Sequence, residues 1–439
     1  MNELEAAADA VTSAATTPTA VAPAPSASPA VRASRARSLP TPGAKRATVI
    51  GAGSFGTALA VLLARGGLRT TLQARTAEQA ASLDQERENR VYLPGVELPG
   101  QLRIEPATAG VARADYVFLA VPSSGLDEVI ATLEAAGLDK RAAVVSVAKG
   151  LVPPDGLPPT TVLGARFGPG RVACLGGPAH AREMVNEGAG LVAASSDEEL
   201  TRALAQVFTR AGVVCERSDD PLGVELAGAA KNAAALAAGA TEAQGLNAAG
   251  AAAGHIFAEV WRYAAGLGAR PESMIGLAGA GDLVATALAR DSRNRRAGEL
   301  LAAGVPAAEI PARIGQAVES LESVPLLARA LERADGPPAG RTGSRPHEHV
   351  GESPGKHADG GTGSRASEPA GGRAGERAGG REGGRAPITT ALGRLISGEL
   401  PLDDWVALVR ATVPPPARWR RPQPGFWRRA WRRATGRNR

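Results

Sequence analysis

From residue 47 onward, short apolar runs alternate with helix-length segments. The runs are "ATVI", "TTLQA", "YVFLAV", "AVVSVA", "VACLG", "LVAAS" and "VVCE", and they recur to about residue 217. Apolar runs of strand length spaced by helix-length segments predict a parallel sheet with crossover helices over residues 47–220. Past Pro221 the pattern changes. Clusters of β-branched residues become rare and residues 221–333 read as successive helices, which predicts a second, all-helical domain. Its plainest helix is "ELAGAAKNAAALAAGA" at 225–240, rich in the best helix former and free of proline. The helical pattern resumes at "PITTALGRLISGELPLDDWVALVRAT", giving two more helices within 387–412.

Three segments fall outside this pattern. Residues 1–46 are rich in Ala, Pro, Ser and Thr without periodicity, which predicts a disordered arm. Residues 334–386 are a Gly/Arg-rich stretch that cannot bury a core and is too long for an ordinary loop, so a disordered insertion interrupts the helical domain. His347, His349 and His357 lie in it. Incidental composition explains them better than a metal tract, and no metal is expected. The third segment is a basic tail at 413–439, with nine arginines and no acid. An isoelectric point of 9.8 suggests a nucleic-acid binder until the charge is located. The whole chain carries +6, so the residues before the tail carry a net −3. No specific nucleic-acid partner follows. Trp419, Phe426, Trp427 and Trp431 interleave with the tail arginines, a combination suited to weak contact with an anionic membrane surface.

Cys174 and Cys215 are the only cysteines, each within an apolar run, and buried thiols in strands fit a reducing compartment. The N-terminus lacks the charged and apolar regions of a secretory signal, and no stretch approaches the roughly 20 apolar residues of a membrane span. A soluble cytoplasmic protein is expected.

The candidate chemistry begins at "TVIGAGSFGTALA". Gly51, Gly53 and Gly56 form G-x-G-x-x-G between an apolar strand and an apolar helix, the context of a dinucleotide-binding fingerprint. The first glycine permits the tight turn, the second a close approach to the pyrophosphate, and the third close packing of helix on strand. The second strand ends at Arg75, where an acidic residue would hold the ribose 2′-hydroxyl of NAD. Arginine suits the 2′-phosphate of NADP, so the reading leans to NADP(H), with NAD(H) and a merely solvated arginine left open.

A cation also stands inside the alanine run. The helical neighbours of Lys231 are Ala227, Gly228, Ala234 and Ala235, none of which can pair with its charge. One reading is a lysine that snorkels to water; the other is a cleft floored by small residues, in which desolvation brings the ammonium into the range of an acid or base.

"SVAKG" with Lys149, "GGPAHARE" at 176–183, "AGAAKNAAA" with Lys231 and "GLAGAGDLVATALARDSRNRRAG" with Asp282 and Arg293 follow "GAGSFGTALA" in order. Together they resemble the bacterial-type NAD(P)-dependent glycerol-3-phosphate dehydrogenases, from about residue 47 to 333 and again at "PIT". The resemblance implies an α/β architecture, a Rossmann-type N-terminal domain followed by a helical C-terminal domain of the 6-phosphogluconate dehydrogenase-like kind. It also implies interconversion of dihydroxyacetone phosphate and sn-glycerol 3-phosphate with NAD(P)H, for glycerophospholipid synthesis. By position it makes Lys231 the catalytic lysine. Lys149, Gly177, Ala179, Asp282, Ser292, Arg293 and Asn294 stand at substrate contacts. Ser54, Phe55, Arg75, Lys149, Ala181, Arg293, Ala317 and Glu319 stand at cofactor contacts, beside the glycines. A homodimer is an open assembly that the sequence does not fix.

Within that reading Lys231 is the proton donor to the ketone oxygen, and a nearby Lys149 would depress its pKa and stabilise the alkoxide. Asp282 either orients the lysine or caps a helix. Arg293 and Asn294 offer a planar cation and an amide to the phosphate. The chain departs from the family at Ala179, where a hydroxyl residue is usual, at His180, where an aromatic is usual, and at Ala317, where valine is frequent. Two rivals follow: a dehydrogenase of another small phosphorylated or carboxylated alcohol, and an inactive nucleotide-binding regulator.

Overall fold

Ten strands occur among the described residues: β1 (Arg46–Ile50), β2 (Arg69–Ala74), β3 (Glu88–Asn89), β4 (Leu93–Glu97), β5 (Arg103–Pro106), β6 (Tyr116–Leu119), β7 (Ala143–Ser146), β8 (Val172–Gly176), β9 (Gly190–Ala194) and β10 (Val214–Ser218). The computed structural model describes residues 45–335, apart from 112, 290 and 291, and residues 386–412. The greater part of the arm, the insertion and the whole basic tail, with His347, His349, His357 and the tail aromatics, therefore lie outside the described residues. At both inner boundaries the ordered elements reach further than expected. Arg46 opens β1, its N–H donating to Asp115 Oδ2 at 2.7 Å, and the last helix before the insertion runs to Asp335.

The seven apolar runs all become strands of one eight-stranded sheet, ordered β10-β9-β8-β7-β6-β1-β2-β5. Val49 of β1 lies beside Leu72 of β2 and Phe118 of β6 on one face, and Ile50 beside Leu119 on the other, so the centre of the sheet is apolar on both faces. Two corrections apply. The sheet is not wholly parallel: β9 pairs with β8 antiparallel, and β10 follows β9 in parallel, so the last two strands run against the rest. The segment 177–189, which holds the short helix Ala181–Asn186, brings the chain back antiparallel beside β8 as β9, whereas the helix Glu198–Arg210 carries it over to a parallel β10. Strands β3, β4 and β5 escaped the pattern because "EN", "LPGVE" and "RIEP" are short, charged or broken by proline. Cys174 is buried in β8, but Cys215 on the edge strand β10 is only partly covered.

Helices α1 (Ser54–Arg65), α2 (Ala77–Glu86), α3 (Leu126–Ala135), α4 (Pro159–Phe167), α5 (Ala181–Asn186) and α6 (Glu198–Arg210) connect the strands. Their starts follow ordinary capping chemistry: Thr76 accepts from Gln79 N ahead of α2, and Asp197 from Leu200 N ahead of α6.

The helical part is built on α7 (Pro221–Thr241). Asp220 caps it by accepting from Gly223 N at 2.8 Å, and Pro221 occupies the first turn, where no N–H is needed. Alanine and glycine line almost its whole circumference, so neighbours approach closely on every side and even Glu225, Lys231 and Asn232 are buried. Around it lie α8 (Leu246–Gly266), α9 (Pro271–Ile275), a π-turn at Leu277–Gly281, α10 (Asp282–Leu288), α11 (Arg293–Ala302), α12 (Ile310–Ile314), α13 (Glu319–Asp335), α14 (Pro387–Ile396) and α15 (Leu402–Thr412). Glu259 of α8 reaches α14 from outside. Its buried carboxylate accepts from Ile388 N at 3.1 Å, Thr389 N at 2.8 Å and Thr389 Oγ1 at 2.6 Å, satisfying amides that α14 itself cannot. None of the described helices is long and apolar enough to cross a membrane.

Candidate active site

After Ile50 the chain turns through Gly51, Ala52 and Gly53 into α1. The turn lies between β1 and β6, where the strand order reverses, the crevice in which doubly wound sheets take dinucleotides. Gly51 has φ +110° and its N–H donates to Gln73 O at 3.0 Å. A Cβ on Gly51 would lie 2.4 Å from Ala120 O, and one on Gly56 2.0 Å from Gly51 O, whereas one on Gly53 would meet nothing within 4 Å. Two glycines are thus required by protein packing, and the middle one faces open space that a side chain would fill. No side chain caps α1, so its first amides stay available to an anion. These residues fit the diphosphate of a dinucleotide.

Lys231 rises from the middle of α7 and is 7 % exposed, so it does not snorkel. Its ammonium donates to Thr286 Oγ1 at 3.0 Å and pairs with Asp282 Oδ1 at 3.3 Å. Lys149, just beyond β7, pairs with Asp282 Oδ2 at 2.6 Å and donates to Gly177 O at 3.3 Å. Gly228, on the Lys231 face, lies against the stem of Lys149: a Cβ there would stand 3.5 Å from Lys149 Cγ, in ordinary contact. Asp282 is 1 % exposed and opens α10 without capping it, because both its oxygens serve the lysines. The wide π-turn before α10 leads into it, and Thr286 stands one turn further on the same face.

Burial, joined by the positive charge of Lys149, lowers the Lys231 ammonium to about 8, against the pull of Asp282. Burial alone would raise Asp282; the charges of Lys149 and Lys231 outweigh it and hold the carboxyl below its ordinary value. The cluster therefore contains a permanent anion and an ammonium able to lose its proton near neutral pH.

A second carboxylate supports the backbone of Lys149. Glu319, at the start of α13, accepts from Lys149 N at 3.2 and 3.1 Å with its two oxygens and also from the Ser123 amide, while its burial raises its pKa. On the other side of the same residue, Asn232 donates to Lys149 O at 3.3 Å, Asn294 donates to Asn232 Oδ1 at 2.8 Å, and Ser320 donates to Asn294 Oδ1 at 2.7 Å. Asn294 is thus engaged inside the site, with both ends of its amide bonded. Ser292 caps α11 by accepting from Arg295 N, and the exposed Arg293 donates to Gln316 Oε1 at 3.1 Å and Ala317 O at 3.3 Å.

The structure therefore brings Lys149, Gly177, Lys231, Asp282 and Glu319 into one cluster and ties Asn294 to it, with Ser292, Arg293 and Ala317 adjoining. Among the described residues no hydrogen bond or ion pair joins Ser54, Phe55, Arg75 or Ala181 to that cluster. Arg75 is exposed just past β2, its backbone N–H held by Gln79 Oε1. Ala179 is buried, Ala181 opens α5, and His180 turns its Nδ1 toward Glu183 Oε2 at 3.6 Å. Sequence reasoning missed Thr286, Ser320 and Ser123. The first was signalled by its spacing of four from Asp282, the second by its place after Glu319, and Ser123 by nothing local. No group of three or more metal-ligating side chains occurs among the described residues.

Residues 46–201 match the family NAD-dependent glycerol-3-phosphate dehydrogenase N-terminus, and residues 220–336 its C-terminus. Similar curated proteins include glycerol-3-phosphate dehydrogenase [NAD(P)+] of Deinococcus radiodurans, 40% identical over 286 residues, 64% of this chain and 83% of the relative. The protein of the same name from Methylococcus capsulatus is 38% identical over 304 residues, 67% of this chain and 88% of its own. Among solved structures, glycerol-3-phosphate dehydrogenase from Coxiella burnetii aligns with a TM-score of 0.67 at 26% identity, covering 84% of this chain and 99% of that one. Both regions of the family are matched in order along most of the ordered chain, which belongs to the NAD-dependent glycerol-3-phosphate dehydrogenase family.

Proposed function

We propose that the protein is an NAD(P)-dependent sn-glycerol-3-phosphate dehydrogenase, reversibly reducing dihydroxyacetone phosphate to sn-glycerol 3-phosphate for glycerophospholipid synthesis. The observation that carries this reading is the buried Lys231–Asp282–Lys149 cluster, reached from the same sheet whose switch point bears the glycine turn. The nicotinamide, when bound, supplies or accepts the hydride at the substrate carbon. Gly51, Gly53, Gly56 and the first turn of α1, with Ser54 and Phe55, hold the dinucleotide; Arg75, Ala181, Arg293, Ala317 and Glu319 are assigned to the same group.

Lys231 gives its proton to the ketone oxygen as charge develops there, and takes one back in the alcohol direction. With its pKa brought to about 8, it does either near neutrality. Lys149 remains as a fixed positive charge beside the oxygen, and Asp282 aims both ammoniums while Thr286 fixes the rotation of Lys231. Arg293, Asn294 and Ser292 face the substrate phosphate, with Gly177 and Ala179 flanking the site. Loss of the hydroxyl usual at position 179 weakens substrate binding without touching the proton donor.

The assay is NADPH or NADH absorbance on addition of dihydroxyacetone phosphate, with Lys231→Ala alongside. Turnover in the unmodified protein and its loss in the variant are expected; absence of turnover with this substrate would sink the reading and favour another alcohol or a pure nucleotide-binding regulator. Arg75→Ala should raise the KM for NADPH more than that for NADH, and equal effects would remove Arg75 from the choice between them. The tail is assigned a weak contact with anionic membranes, tested by liposome co-sedimentation of the full chain against a truncation before Val413; equal sedimentation rejects it. Location in the cytoplasm and a homodimeric assembly complete the proposal, checked by fractionation and by mass in solution.

A further inference from the structure

Asn89 is 2 % exposed in β3, on the hairpin that the sequence pattern did not reveal. Its Nδ2 donates to Ala52 O at 3.0 Å and to Thr57 Oγ1 at 2.8 Å, and its Oδ1 accepts from Tyr92 N at 3.2 Å. Both hydrogens and the oxygen of the amide are engaged, which fixes its orientation. The hairpin is itself anchored: Arg87, in the left-handed region with φ 52°, bridges Asp84 at 2.8 Å and Leu102 O at 2.9 Å.

Ala52 is the residue between the first two glycines of the turn. In a planar trans peptide the carbonyl and the following N–H point in opposite directions, and the Ala52–Gly53 bond is trans. By holding the Ala52 carbonyl toward its own amide, Asn89 leaves the Gly53 N–H directed away from the hairpin, at a residue whose Cβ position is free of protein atoms for 4 Å. Its second bond, to Thr57, ties the turn to the opening of α1, whose first amides no side chain caps.

We propose that Asn89 is a positioning residue for the dinucleotide: it presents the Gly53 N–H to the cofactor diphosphate and locks the turn to α1. This rests on the nicotinamide-dinucleotide reading above. The test is fluorescence titration of NADH and NADPH into the unmodified protein, Asn89→Ala and Asn89→Asp, with melting temperatures and full kinetics. Alanine removes both donors; aspartate keeps the shape and the acceptor for Tyr92 but sets an anion against the Ala52 carbonyl. Both folded variants should bind cofactor about tenfold more weakly or worse. Cofactor KM should rise in step, while kcat at saturating cofactor and KM for dihydroxyacetone phosphate stay within about twofold. If alanine prevents folding, the isosteric aspartate decides. A folded variant with unchanged cofactor affinity overturns the inference, as does a uniform decline of kcat and both KM values that tracks lost thermal stability. Failure of the unmodified protein to bind either nucleotide overturns the cofactor reading and the inference with it.

Discussion

Lys149 and Lys231 sit on opposite oxygens of one carboxylate, Asp282 Oδ2 at 2.6 Å and Oδ1 at 3.3 Å. Two ammoniums so close in a buried site repel each other, and their shared anion makes the arrangement possible. Asp282→Asn should therefore leave both lysines without a counter-charge. We expect kcat to fall by about a hundredfold or more and the Lys231 pKa to move further down. Steady-state kinetics across pH would show both, and an unaltered pH profile would mean that Asp282 does not govern the lysines.

The pH dependence of the two directions should mirror each other. Lys231 is effective in ketone reduction as the ammonium, so that rate holds below pH 8 and falls about tenfold per unit above it. Alcohol oxidation, which needs the free amine, rises through the same range. Lys149→Met removes a charge that lowers the Lys231 value, so the limb should shift to higher pH while kcat drops. Profiles of kcat at saturating substrates measure this directly.

The three glycines of the turn should separate by what each faces. Gly56→Ala sets a Cβ 2.0 Å from Gly51 O and should lower the melting temperature or prevent folding. Gly53→Ala meets no protein atom, so the fold should survive while cofactor affinity falls by about tenfold or more. Thermal melts paired with cofactor titrations distinguish the two, and a stable Gly53→Ala protein with full affinity would place the diphosphate elsewhere.

These contrasts also mark what was legible in the sequence. Gly51, Gly53 and Gly56 were readable because strand, turn and helix follow one another locally, and the seven apolar runs because central strands are buried on both faces. Lys231 alone was ambiguous. By itself its pattern of small neighbours favours a snorkelling cation, and what decides against that is Asp282, 51 positions away, together with Lys149. Asn89 and Ser123 were invisible for the same reason, since a single polar residue in a short strand or turn carries no period and acquires meaning only from distant partners. The reversal of β9 and β10 was hidden because apolar runs report burial and not direction.

Glu225 predicts a pH effect on stability separate from catalysis. It is buried in α7, accepting from Thr160 N at 3.0 and 3.1 Å and Thr160 Oγ1 at 2.5 Å, and burial pushes its pKa from 4.5 up to about 8. A folded-state value above the unfolded one gives stability that is full below pH 4.5 and lost progressively as pH rises to about 8. Glu225→Gln should flatten that slope, so its melting temperature gains on that of the unmodified protein between pH 5 and 8. Parallel melting curves over this range test it, and equal slopes would show that the carboxyl is ionised in the folded protein.

Glu259 fixes where the chain re-enters the helical domain, because it captures the first amides of α14 regardless of how many residues separate that helix from α13. The entropic cost of closing a loop grows only logarithmically, by about 0.6 kcal/mol for each doubling of length. For a flexible connection, going from about six residues to about fifty adds about 2 kcal/mol. The start of α14 is thus set by Glu259 and not by the length of chain before it, which enters the domain's stability only logarithmically.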